Sequence, residues 1–273
     1  MNDKLGATAF ITGGSSGIGL AIACEFVRHG THVAIFSRNA DARERAVAAV
    51  TSSARSGATV RSYELDVSDR EQTRRAVAEA ASELGPARYV VTSAGVAYPG
   101  YFGEITDEEF DETVRVNITG TWNVLRAAVP FMQGNGGHIL TVSSVAGFVG
   151  TFGYTAYGAS KFAVIGLSEA LRAELRPFGI RVSVLCPPDT DTPQLAQETL
   201  RKPKETVALS RHARVVTPEF VARAAIAGMK RNRFLILPGR SVRFVNAMQR
   251  HFPAIVRFVS DRGVMAAQRE ESR

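Results

Sequence analysis

The sequence predicts an α/β fold, a single doubly wound sheet of seven parallel strands with helices on both faces. Short apolar runs alternate with Ala-rich helical patterns along most of the chain, as βαβ units do. The runs are near-continuous in Val, Ile and Leu, which is what strands covered on both faces require. The first run leads directly into a glycine-rich turn and then an apolar helix.

In chain order, residues 7–12 form the first strand, Gly13-Gly14-Ser15-Ser16-Gly17-Ile18-Gly19 the turn, and residues 20–28 the first helix. Gly13, Gly17 and Gly19 permit unusual backbone angles and close approach of a ligand, while the helix start offers unpaired N–H groups and a positive dipole end to a pyrophosphate. The spacing Gly-x-x-x-Gly-x-Gly differs from the commoner Gly-x-Gly-x-x-Gly dinucleotide fingerprint. Six further strands are expected over 31–36, 59–65, 89–93, 138–143, 180–185 and 233–237. Ligands of such a sheet bind beyond the carboxyl ends of its strands. The glycine turn, Ser143-Ser144 after the fifth strand and Pro187-Pro188 after the sixth therefore border one cleft.

A long helix over 156–176 carries Tyr157 and Lys161 near its start. Four residues make about one helical turn, so phenol and ammonium share a face. A free tyrosine, with a pKa of about 10, is a poor acid-base group near neutrality, and a lysine cation close by favours the phenolate. Ser144 lies thirteen residues upstream of the tyrosine. The three suit proton transfer at one small molecule.

The 273 residues, 45% of them hydrophobic, suffice for one core, with residues 1–239 as a dinucleotide-binding catalytic domain and 240–273 as a basic amphipathic C-terminal segment. Two cysteines, Cys24 and Cys186, read as structural thiols of a reducing compartment with no disulfide. The histidines at 29, 32, 138, 212 and 251 lack metal-ligand spacing, so no metal is expected. Residues 1–6 show neither a signal peptide nor an anchoring helix, and no run reaches the length of a membrane span. The expected location is the cytoplasm, with peripheral contact at a membrane surface left open, and no nucleic-acid partner is expected.

The net charge of +7 is uneven: from residue 201 onward 16 Lys/Arg face 5 Asp/Glu, giving +11, whereas residues 1–200 hold 17 against 21, giving −4. A localised positive region suits an anionic membrane surface or an acidic partner, and equally a solvated basic face. Within it Arg243 and Arg250 lie on one helical face and Phe244, Met248 and Phe252 on another, before Pro253 interrupts the pattern and a second apolar run follows over 254–259. Such pieces lie in a headgroup layer, cover an acyl chain, pack on the domain or form a subunit interface.

Taken together, these motifs resemble the short-chain dehydrogenase/reductase family, in order from about residue 5 to about residue 240. The resemblance implies a Rossmann-type fold and a catalytic set of Asn117, Ser144, Tyr157 and Lys161. In that family Tyr157 would donate a proton to a carbonyl oxygen that Ser144 also holds. Lys161 would lower the tyrosine pKa and bind the nicotinamide ribose, and Asn117 would hold a water that reconnects the lysine to solvent. Thr12, Gly13, Ser15, Ser16, Gly17, Ile18 and Gly19 would hold the nucleotide's phosphates, Asp66 and Val67 its adenine, Ala94 and Gly95 its ribose, and Pro187 and Thr192 its nicotinamide end. The end of the second strand, Ser37-Arg38, carries no acid to hold a ribose 2′-hydroxyl. Arg38, with Ser15 and Ser37, instead offers donors to a 2′-phosphate, so NADPH is the expected cofactor and reduction the expected direction.

Two stretches depart from the family pattern: Thr92-Ser93-Ala94-Gly95 replaces Asn-Asn-Ala-Gly, and Pro187-Pro188 replaces Pro-Gly. The latter run continues through Asp189-Thr190-Asp191-Thr192-Pro193 to Lys202-Pro203-Lys204-Glu205-Thr206, and with Phe152-Gly153-Tyr154-Thr155-Ala156-Tyr157 it is similar to the 3-ketodihydrosphingosine reductase branch of the family. That resemblance implies a long-chain 3-ketone as substrate. Another lipid-like ketone, such as a 3-oxoacyl thioester or a steroid, is the nearest alternative, and a nucleotide-binding regulatory protein without turnover is another. The family also implies a homodimer or homotetramer.

Overall fold

A computed structural model describes residues 7–54, 57–211 and 213–269. Residues 1–6, on which the expectation of a leaderless start rests, and His212 lie outside the described residues. Seven parallel strands form one sheet: β1 (Thr8–Thr12), β2 (His32–Ser37), β3 (Val60–Glu64), β4 (Ala87–Thr92), β5 (Gly137–Val142), β6 (Ile180–Leu185) and β7 (Leu235–Ile236), in the order β3-β2-β1-β4-β5-β6-β7. Each matches a run read from the sequence, with ends displaced by a few residues. The order reverses between β1 and β4, where Thr12 pairs with Phe36 on one side and Thr92 on the other. Such a reversal opens a crevice at the carboxyl edge of the sheet.

Helices cover both faces. On one, α1 (Gly17–Arg28), α2 (Ala40–Ser52) and α9 (Pro218–Lys230) bury Phe26, Val27, Val50 and Met229 against Ile11, Ile35 and Tyr89. On the other, α3 (Arg70–Leu84), α5 (Thr121–Met132) and α6 (Thr155–Leu175) close over Phe10, Phe36, Val90 and Ile139. Local chemistry starts several of these helices. Asn39 and Asp69 accept from Ala42 N at 2.8 Å and Gln72 N at 2.9 Å. Thr106 and Glu109 form a reciprocal capping box at α4 (Asp107–Thr113), and Thr217 caps α9, which has Pro218 in its first turn.

Between α4 and α5 the chain widens into a π-helical turn over Val114–Gly120, a departure that α-helical periodicity does not predict. After β6 come α7 (Pro193–Thr199) and α8 (Lys204–Ser210), tied to the rest of the chain by Tyr154 Oη donating to Glu198 Oε2 at 2.6 Å and Tyr101 Oη donating to Glu205 Oε2 at 2.9 Å. The tail forms α10 (Arg240–His251) and α11 (Pro253–Arg269), which break at Phe252-Pro253 where the sequence breaks its pattern. Among the described residues no helix is long and apolar enough to cross a membrane.

Candidate active site

The glycine turn after β1 packs directly against the loop that follows β4. Gly13 has φ +66° and Gly17 φ +52°, conformations that favour glycine. A Cβ on Gly13 would stand 2.7 Å from Ala94 N, one on Gly17 2.9 Å from Thr192 Cγ2, and one on Gly19 would collide with the Gly13 carbonyl oxygen. Ser16, at the N-cap of α1, makes no side-chain bond to the N–H groups of the first turn. A bare backbone cradle facing free helix N–H groups fits the pyrophosphate of a dinucleotide. Ile18 is partly buried and packs against the core beneath the cradle, and Thr12 is buried at the strand end with Thr12 Oγ1 donating to Val91 O at 3.5 Å.

Two clusters border the expected nucleotide path. Ser15 Oγ donates to Ser37 Oγ at 2.8 Å, so the glycine turn and the end of β2 present their hydroxyls together, beside the exposed Arg38. Arg43, which sequence reading passed over, fixes this corner: one of its nitrogens donates to the carbonyls of Ser37 and Arg38, both at 2.8 Å. Asp66 accepts from Ser68 N at 2.9 Å and Ser68 Oγ at 2.7 Å. Burial raises its pKa, but those bonds and the nearby Arg38 and Arg115 outweigh it and hold the carboxyl below the usual range. Val67 lies under Gly120, where a Cβ would press on its side chain, and its carbonyl accepts from Asn123 Nδ2 at 3.0 Å.

The third group meets at the ends of β5 and β6. Ser144 ends the extended segment after β5 and its Oγ accepts from Ala146 N at 3.2 Å. Tyr157 and Lys161 project from the first turns of α6, with the ammonium 5.4 Å from the centre of the phenol ring. The side chains of Ser144 and Gln194 flank the Tyr157 hydroxyl closely enough to favour its charged form. Lys161 is buried and its Nζ donates to Val142 O at 3.1 Å; Gly95, facing it, leaves room that a Cβ would reduce to 3.4 Å. Asn117, in the π-helical turn, is buried. It accepts from Val96 N and donates to Val96 O and Ser160 Oγ, all at 2.9 Å, tying this turn to α6. Pro187 O accepts from Val145 N at 3.1 Å, and Thr192 caps α7 through Leu195 N.

The electrostatics differ from the sequence expectation that the lysine lowers the tyrosine pKa. Burial pushes the Tyr157 hydroxyl up, Glu198 pushes it further, and the polar side chains of Ser144 and Gln194 oppose them without prevailing. Burial also pushes Lys161 down to about 8, with Glu198 opposing. Desolvation penalises the charged form of each and is the largest cause of both shifts. The phenol is therefore held as an acid.

Sequence reading also missed the carboxylate responsible. Glu198, on α7, is buried; Tyr154 Oη donates to its Oε2 at 2.6 Å and Gln194 Nε2 to its Oε1 at 2.7 Å. The only sequence signal was its spacing of four from Gln194 on one helix face.

Comparison with known proteins agrees with this geometry. The family described as short chain dehydrogenase matches residues 7–203. The 3-ketodihydrosphingosine reductase of Dictyostelium discoideum is 36% identical over 242 residues, covering 83% of this chain and 72% of the relative. The 3-ketodihydrosphingosine reductase of Mus musculus is 38% identical over 224 residues, covering 81% and 68%. Among solved structures, a short chain dehydrogenase/reductase from Burkholderia phymatum in complex with NAD is 25% identical with a TM-score of 0.82, covering 93% of this chain and 96% of that one. From its fold, its glycine cradle and these matches, the chain belongs to the short-chain dehydrogenase family and is an oxidoreductase that works with a nicotinamide cofactor.

Proposed function

We propose that the enzyme reduces 3-ketodihydrosphingosine to dihydrosphingosine with NADPH. The observation that carries the reading is the placing of Tyr157 and Lys161 on one face of α6, ammonium and ring centre 5.4 Å apart, with Ser144 at the end of the segment after β5, in a chain whose relatives bear that activity in their names. Reduction of a ketone needs an acid at the carbonyl oxygen, and a phenol that carries its proton near neutrality supplies one.

When bound, reduced nicotinamide supplies the hydride. Tyr157 gives its proton to the substrate's carbonyl oxygen, producing the secondary alcohol. Ser144 hydrogen-bonds the same oxygen as negative charge gathers on it. Lys161, 5.4 Å from the phenol ring, stabilises the phenolate left behind and holds the ribose of the cofactor. Asn117 holds the water through which the lysine regains a proton from solvent. Thr12, Gly13, Ser16, Gly17, Ile18 and Gly19 seat the diphosphate, Asp66 and Val67 the adenine, Ala94 and Gly95 the ribose, and Pro187 and Thr192 the nicotinamide end. Ser15, Ser37 and Arg38, gathered at one corner with no acid among them, favour the 2′-phosphate of NADPH.

Residues 1–239 act as the catalytic domain and 240–273 as an appendage that meets bilayers, where a long-chain ketone resides. Phe244, Phe252, Phe258 and Val259 are each more than half exposed, beside Arg243, Arg257 and Arg262. Two copies associate through α5 and α6, which leave Trp122, Phe131 and Phe162 exposed; sedimentation as a monomer at micromolar concentration would remove this part of the reading. The substrate assignment is tested by NADPH oxidation with 3-ketodihydrosphingosine, a 3-oxoacyl thioester and a ketosteroid side by side. Preference for the first supports it, preference for either other reassigns the substrate, and no turnover with any favours a binding protein.

A further inference from the structure

Two carboxylates stand beside Tyr157 in the segment after β6, and they are held differently. Asp189 has a cation, Lys202 Nζ at 3.1 Å. Glu198 has none within 4.0 Å among the described residues. Its partners are the Tyr154 phenol on one oxygen and the Gln194 amide on the other. Keeping a carboxylate out of water with only neutral partners is costly, and each of its oxygens retains an unused acceptor position. The Tyr154 ring stands 5.7 Å from that of Tyr157, so the carboxylate lies one phenol beyond the reacting residue. Of the charges acting on Tyr157 and on Lys161, that of Glu198 is the largest.

A buried carboxylate with no ion-pair contact among the described residues can take a cationic group of the substrate. This inference rests on the proposed substrate, whose primary amine sits on the carbon next to the carbonyl and is an ammonium at neutral pH. Amine nitrogen and carbonyl oxygen of such a molecule lie roughly 3 Å apart by ordinary bond geometry. A carbonyl oxygen on Tyr157 and an ammonium on Glu198 can thus belong to one substrate molecule, since the phenol bonded to Glu198 lies against the Tyr157 ring.

We infer that Glu198 binds the substrate's 2-ammonium, with Tyr154 and Gln194 holding its carboxylate in place, and so selects a 2-amino ketone over a plain ketone of the same length. The test compares kcat/KM in mixed micelles, with NADPH saturating, for 3-ketodihydrosphingosine, its N-acetyl derivative and the chain-matched ketone lacking the amine. The wild-type enzyme is expected to prefer the free amine by roughly 10- to 100-fold over both neutral ketones, and Glu198→Gln to lose most of that ratio. Glu198→Asp, which keeps the charge, is expected to retain part of it. Equal turnover of amine and N-acetyl ketone by the wild type overturns the inference without using a variant, so misfolding of Glu198→Gln cannot mask the result. An unchanged ratio in folded Glu198→Gln overturns it as well. If the wild type turns over long-chain ketones without this preference, the reductase reading stands and only the role of Glu198 falls. If it turns over none of the three, both fall.

Discussion

At the scale of single residues, burial governs the chemistry of this site more than charge pairing does. Tyr157 and Lys161 are both shifted against their charged forms, the lysine to about 8, by desolvation. Tyr157→Phe removes the proton and little volume, so kcat is expected to fall by about 10³-fold or more while NADPH affinity, read by fluorescence titration, stays within about twofold. Retained turnover would contradict the assignment. Arg38→Asp, at the corner where Ser15 meets Ser37, is expected to move preference from NADPH toward NADH by at least about tenfold in kcat/KM. An unchanged ratio would leave Arg38 without a phosphate role. His138, in the middle of the sheet, extends the same physics to stability. Its Nε2 lies 2.7 Å from Ser183 Oγ, and burial, with Arg181, lowers its pKa to about 4. Between that value and the ordinary 6.5 the unfolded chain binds the proton and the folded one does not, so stability falls as pH falls through this window. From pH 7 to pH 5 the histidine is expected to remove about 2 kcal/mol, a loss absent from His138→Gln in urea unfolding at the two pH values.

At the scale of elements, the strands and the glycine turn were legible because each is a local pattern: a run of β-branched residues, or a glycine where the backbone needs positive φ. Gly13 illustrates the second. With φ +66° and a Cβ position 2.7 Å from Ala94 N, Gly13→Ala must strain the turn and push it off the β4 loop. A loss of about 1–3 kcal/mol in urea unfolding is expected, with weakened nucleotide binding; wild-type values for both would mean the cradle has room to spare. The π-helical turn at Asn117 was not legible. Its residues carry an ordinary helical pattern, and the wider turn follows from Asn117 bonding to Val96 and Ser160. The motif that brought Asn117 to notice came through resemblance to a family, not through helix periodicity.

At the scale of the molecule, the +11 charge and the apolar faces of the last two helices bear on the same question. α11 packs on α8, with Gly263 against Leu209 and Gln268 Nε2 donating to Glu205 Oε1 at 3.3 Å, while Phe244 and Phe258 stay exposed. The segment is thus anchored to α8 without spending its aromatic surface. In flotation with liposomes containing anionic lipid, the full chain is expected to rise with the vesicles and the Phe244→Asp, Phe258→Asp double variant to remain below. Equal flotation would remove the membrane role from this surface.

The sequence by itself determined the strand order's raw material, the glycine cradle and the helical pairing of Tyr157 with Lys161, since each depends on neighbours within a turn or a strand. Only the tertiary structure decided that Ser15 meets Ser37, that Glu198 is buried behind Tyr157 through Tyr154, and that burial disfavours the phenolate. Those outcomes depend on which distant segments exclude water from one another, and desolvation is a property of the packed cleft that no stretch of sequence carries alone.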